Sequence, residues 1–293
     1  LLSGRSRRFI LRLGRGPLAL RLLGAWLVAT TLAGGGVRVA AAEEAAPAEP
    51  EAVWEALRAQ HFGARPIEVG DGIITLEAPG RAEDPAFTPV HIGLPGQALS
   101  GPRQLSRVLL FVDMNPEPLA LELRGGPAGL PATLATRVRV ERYSHLRAIA
   151  ETHDGSLFMA KAFVEASGGC SAPPQARGGD ATIGEMRFSS PLGEGNQVQV
   201  SIRHPNASGL QRDPWTHDWI PPHYVRSLAV SHAGQLVFHA RTGISLSENP
   251  TLRFTLPGNV DTAQLLVEAM DSAGELYRQE WRASPAGSGE GEE

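Results

Sequence analysis

Between residues 73 and 281, apolar side chains recur at every second position in short runs separated by turn-forming residues. Val90, Ile92 and Leu94 form one such run, and Leu119, Leu121 and Leu123 another. Val138 and Val140 continue the pattern, as do Val198, Val200 and Ile202, then Leu252, Phe254 and Leu256, then Leu265 and Val267. A period of two is the signature of a strand with one face buried. Residues 108–112, VLLFV, are apolar without a break, which predicts a strand buried on both faces. Asp154-Gly155, Ala233-Gly234 and Ser272-Ala273-Gly274 predict the turns of three hairpins. Short strands at regular spacing argue for an all-β fold: two immunoglobulin-like antiparallel β-sandwich domains in tandem. A single short helix is predicted over residues 51–62, where Val53, Trp54 and Leu57 fall at helical spacing for packing on a sheet.

The predicted boundaries follow composition. Residues 1–42 form a signal peptide, with an arginine-rich start, an apolar run from Leu18 to Ala33, and small residues at Val39-Ala40-Ala41-Ala42. Ser6-Arg7-Arg8-Phe9 resembles a twin-arginine export signal. Export to the periplasm is expected, with no stable membrane insertion once the signal is removed. Residues 43–167 hold the helix and the first sandwich, and residues 182–282 the second. Residues 168–181, rich in Gly, Pro and Ala, form a linker. Residues 283–293 form an acidic, glycine-rich tail expected to be disordered.

Seven of the 27 Lys and Arg residues and none of the 31 acidic ones lie in the first 42 positions. The remainder carries 20 basic residues against 31 acidic, a net charge of −11. Such a chain has no electrostatic footprint for nucleic acid. It also lacks a phosphate-binding loop, a dinucleotide fingerprint and a haem-attachment motif.

Cys170 is the only cysteine, so no internal disulfide can form. It follows Gly168 and Gly169 and precedes Ala172, Pro173 and Pro174. The glycines predict a thin, flexible arm, and the prolines forbid a helix that could lower the thiol pKa. Nothing beside it in sequence supplies a general base. An exposed thiol on a slack connection is expected, serving as a handle and not as a nucleophile.

These residues resemble a known family. SLFMAKAFVEASGGCSAP, residues 156–173, looks like the carrier arm of the Y subunit of the Sox sulfur-oxidation system. HPNASGLQRDPWTHDWIPPHY, residues 204–224, and ISLSENPTLRFTL, residues 244–256, are similar to its Z partner. The fused order resembles the SoxYZ-like carriers associated with quinoprotein dehydrogenases. The resemblance implies a non-enzymatic periplasmic carrier that holds a sulfur-containing intermediate covalently on Cys170, with no other cofactor. It implies partners among periplasmic oxidising enzymes, such as a quinoprotein dehydrogenase or a c-type cytochrome. In the family the arm ends just after its cysteine, whereas here Ser171-Ala172-Pro173 continue into a second domain. Two alternatives stay open. One is a non-catalytic binding or adaptor module acting through loops such as 206–223. The other is an enzyme using Cys170 or a metal at His217, Asp218 and His223, whose spacing matches no established metal pattern.

Overall fold

A computed structural model describes residues 50–175, 182–190, 196–256 and 264–282. The expected signal peptide, the lead up to residue 49, residues 176–181 of the linker and the tail lie outside the described residues. Among those described, no helix is long and apolar enough to cross a membrane.

The all-β expectation holds. One helix, α1 (Pro50–Phe62), precedes β1 (Ile67–Val69), β2 (Thr75–Glu77), β3 (Thr88–Gly93), β4 (Leu105–Val112), β5 (Leu119–Gly125), β6 (Thr133–Val138), β7 (Ser144–Thr152) and β8 (Leu157–Val164). The second half supplies β9 (Met186–Ser189), β10 (Gln197–Ile202), β11 (Val225–His232), β12 (Gln235–Thr242), β13 (Thr251–Thr255), β14 (Gln264–Asp271) and β15 (Leu276–Arg282). Among the described residues, all ladders are antiparallel except that of β1 with β8. The alternation missed β1, which is three residues long and largely exposed.

The three hairpins form where the turn residues predicted them. Ala233 (φ 47°) and Gly234 (φ 78°) are both left-handed, as a two-residue turn with the strand twist requires. At the β7–β8 turn, Gly155 is left-handed and Asp154 Oδ1 accepts from Ser156 N at 3.0 Å.

Two rigid bodies on a slack connection are not what the chain forms. β5 pairs with β12, from Leu121 against Thr242 to Gly125 against Phe238. β6 pairs with β13 through Leu134–Phe254 and Ala135–Arg253. The two halves therefore share one nine-stranded sheet, β1-β8-β7-β4-β5-β12-β11-β14-β15, and one six-stranded sheet, β2-β3-β6-β13-β10-β9. The physical reason is that each half leaves β5, β12, β6 and β13 as sheet edges with unpaired N–H and C=O groups, and joining them satisfies both. Period-two patterning reports which face of a strand is buried and carries no information about which edge it meets.

One apolar core runs between the sheets through both halves. Val90, Ile92 and Leu134 face Val108, Leu110 and Leu123, and further along Val200, Leu252 and Phe254 belong to the same cluster as Leu228, Val230 and Phe238. Phe238 and Phe254, one from each sheet, meet edge to face at 4.8 Å between centroids. β4 explains the unbroken VLLFV run. Val108, Leu110 and Val112 enter this core, while Leu109 and Phe111 point to the opposite face against Trp54 and Phe62 of α1. Arg147 fastens the helix there, bonding Asp113 at 2.7 Å and Glu51 at 3.1 Å with its guanidinium over the Trp54 ring.

Because both sheets cross the junction, calorimetry should record a single unfolding transition for the whole β-region. Phe238→Ala should cost about 3–5 kcal/mol and lower that transition without splitting it. Two separable transitions would contradict the shared-sheet architecture.

Candidate functional site

After β8 the chain does not swing free. It runs beside residues 138–141, with Gly168 N–H donating to Glu141 O at 2.9 Å and Gly169 N–H to Val140 O at 3.0 Å. Gly168 is left-handed (φ 81°) and turns the strap inward. Gly169 is there for close approach: a Cβ on it would lie 2.2 Å from Pro85 O and 2.6 Å from Val140 N. Flexibility was the expected use of these glycines, and tight docking is the observed one.

Both halves then hold the segment. From the first half, the Glu141 carboxylate accepts from Cys170 N at 2.8 Å and from Ser171 N at 3.3 Å, and Arg139 Nη1 donates to Gly169 O at 3.1 Å. From the second, Ser208 Oγ donates to Cys170 O at 2.5 Å and Gln211 Nε2 to Ala172 O at 2.7 Å. Further on, Gln175 N–H donates to the Glu248 carboxylate at 3.0 Å.

The expectation of an exposed thiol is therefore corrected: Cys170 is fully buried, with 0% relative accessibility. Burial, then the nearby Glu141 carboxylate, push its pKa up to about 12 against the opposing pull of Arg139. At neutral pH the sulfur is a protonated thiol with no contact to water. Arg139 is itself only 1% exposed, and among the described residues its Nε has no hydrogen-bond partner. Burial holds its pKa below the usual range, partly offset by Cys170 and Glu248.

Residues 58–170 match the family model of the sulfur oxidation protein SoxY, and residues 187–282 that of the sulphur oxidation protein SoxZ. The chain is a SoxY–SoxZ fusion. The SoxY match ends on Cys170 itself. A solved structure of the sulfur carrier protein SoxY from Chlorobium limicola f thiosulfatophilum is similar at 21% identity, covering 40% of this chain and 94% of that one, with a TM-score of 0.32. No curated protein matches the chain.

The two SoxZ-like stretches contribute side-chain bonds to the contact with the SoxY domain, beside the β5–β12 ladder. Residues 204–224 supply Asn206, Ser208 and Gln211. Asn206 O accepts from Arg139 Nη2 at 3.4 Å, and its side chain bonds Leu246 O and Val225 N. Residues 244–256 supply Ser245, which bonds Asn115 and Glu117 O, and Ser247, which bonds Ala86 O at 2.6 Å.

The histidines group differently from the expected set. His217 and Asp218 stay in the outer part of the 207–223 loop, whose ends close through Ala207 and His223. Among the described residues, His223 joins His204 and Asp271, with potential ligand atoms all within 4.8 Å of one another. Asp271 sits far from His223 in sequence, which is why spacing missed it. His223 Nε2 lies 2.8 Å from Asp271 Oδ2, and Tyr277 donates to the same oxygen at 2.9 Å. These bonds overcome burial and hold Asp271 at about 2. Asn206 N–H donates to His204 Nδ1 at 3.0 Å, so the ring proton of the neutral imidazole sits on Nε2. In this tautomer Nε2 has no lone pair for a metal, and the hydrogen bonds of His223 and Tyr277 to Asp271 clamp the base of the loop. Burial, followed by repulsion from His223, lowers His204 to about 4.

Two measurements follow. Alkylation of Cys170 in the native SoxY–SoxZ fusion at pH 8 should run about a thousandfold slower than in the denatured chain, since three pKa units separate the buried thiol from an ordinary one. Gly169→Ala, which forces the strap outward, should raise the native rate at least about tenfold. In the second, His204 is neutral when folded but protonates near its ordinary value of 6.5 when unfolded. Its contribution is therefore complete above pH 6.5 and is lost as pH falls towards 4, on the order of 3 kcal/mol. His61 and His145 are also lowered by burial and add to the same slope. The diagnostic is thus the difference between wild type and His204→Asn, whose side-chain oxygen can still accept from Asn206 N–H. The variant should show the shallower loss in chemical denaturation between these pH values.

Proposed function

We propose that the protein is a covalent carrier that holds a sulfur-containing intermediate on Cys170 and presents it to oxidising partners, with the observed form as its closed state. The observation that carries this reading is the coincidence of the SoxY match ending on Cys170 with a strap tied down by side chains of both domains. Most of these ties are single side-chain bonds to the strap backbone, each worth about 0.5–1.5 kcal/mol, with those to charged groups somewhat stronger. Such a strap can undock while both sheets stay intact. On this reading residues 43–167 are the carrier domain, 168–181 the strap and 182–282 the domain against which it closes.

Joining a second sulfur to a thiol removes two electrons and two protons. The chain has one cysteine and so no dithiol to accept those electrons. An external acceptor is required, which favours a c-type cytochrome or quinoprotein dehydrogenase as partner and the periplasm as the site of action. The purified protein alone would show no turnover.

A second reading draws on the buried, protonated sulfur: a non-catalytic adaptor in which Cys170 merely packs the junction. Intact-mass measurement on protein isolated from actively sulfur-oxidising cells separates the two. The carrier reading expects a reducible adduct on Cys170, and Cys170→Ala should keep its fold and lose all sulfur-dependent electron transfer to partners. An unmodified thiol under every condition, with an active alanine variant, would leave the adaptor reading standing.

A further inference from the structure

The junction of the two halves also builds a basic trough on the outer face of the six-stranded sheet, away from the core. β6 and β13 lie side by side there, with Ala135 opposite Arg253. Arg137 is two residues along β6 from Ala135, so it shares that face and stands diagonal to Arg253. Diagonal neighbours on adjacent strands are about 7–8 Å apart, within reach of one small ion for two long side chains. The floor between them is low because Ala135, Thr251 and Ser201 are small. The resulting trough has a volume of about 500 Å³, and no carboxylate lines it.

No carboxylate among the described residues neutralises either guanidinium. Arg253 donates through Nε and Nη2 to the neutral Gln199 Oε1, and Arg137 donates through Nη2 to Thr251 Oγ1 at 3.3 Å. Among the described residues neither forms an ion pair. These bonds brace the two side chains and leave further N–H groups on each. Along the row containing Arg253, the in-register carboxylate is Glu77, opposite His91. It stands three strand spacings away, about 14 Å, beyond the screening length at physiological salt. On a chain whose charge is otherwise mainly negative, two braced and unpaired arginines above a shallow concavity make a local anion site.

We propose that this trough binds a small divalent tetrahedral oxyanion of the sulfate or phosphate class, bridged by Arg137 from the first half and Arg253 from the second. The pairing of two arginines, with no longer row of cations lining the trough, favours a single small ion over an acidic polypeptide. Because the two arginines come from different halves, the bound ion would tie them together across the β6–β13 seam.

Titration calorimetry of the full chain with sodium sulfate, and separately with sodium phosphate, at constant ionic strength set by chloride tests this. Saturable binding with a dissociation constant of about a millimolar or tighter is expected, accompanied by a rise in unfolding temperature that chloride at the same ionic strength does not reproduce. Arg137→Gln and Arg253→Gln should each weaken binding about tenfold or more and abolish the anion-dependent rise in unfolding temperature, and Arg253→Lys should recover part of the loss. No saturable heat, an equal effect of chloride, or undiminished binding by both glutamine variants would overturn the proposal. So would binding of an acidic peptide such as hexaglutamate with no response to either inorganic ion.

Discussion

The pairing of β5 with β12 and of β6 with β13 is the constraint on which the rest of the molecule depends. Without it the SoxY and SoxZ domains would be two sandwiches with bare edges, and the segment between them would have nothing to lie in. With it, the side chains of Arg139 and Glu141 from the first half and of Ser208 and Gln211 from the second reach the same strap, and Cys170 is seated between them. The same seam places Arg137 beside Arg253 on the outer surface. Three features that look unrelated in sequence are consequences of two strand contacts.

The ties that hold the strap are polar, and together they leave its sulfur shielded from water. Glu141 and Arg139 hold the backbone on one side, Ser208 and Gln211 on the other, and the sulfur itself is sealed. Gly169 makes this possible, since only a residue without Cβ fits against Pro85 O and Val140 N. The Gly-Gly pair therefore sets the depth at which the thiol rests.

Much of the fold was legible because strand alternation and turn chemistry are local properties. VLLFV announced a strand covered on both faces, and Asp154-Gly155 and Ala233-Gly234 announced their hairpins. The family resemblance located the right stretches, 204–224 and 244–256. What stayed hidden depended on contacts between residues far apart in sequence. Period two cannot say that Leu134 will meet Phe254. A Gly, Ser and Pro composition describes a segment that can be mobile, but it does not reveal that Ser208 and Glu141 bind its backbone. His223 was visible as a candidate while its true neighbours, His204 and Asp271, were not, because no spacing rule links positions brought together by a loop closure and a hairpin.

The sealed sulfur has one further consequence. A peroxide molecule that meets the closed protein finds neither a thiolate to attack nor a path to the atom, so the slide to sulfenic and sulfinic acid begins only in the undocked form. On the proposed carrier reading, the lifetime of the single thiol is then governed by how often the strap lifts, and a variant that docks more weakly would age faster.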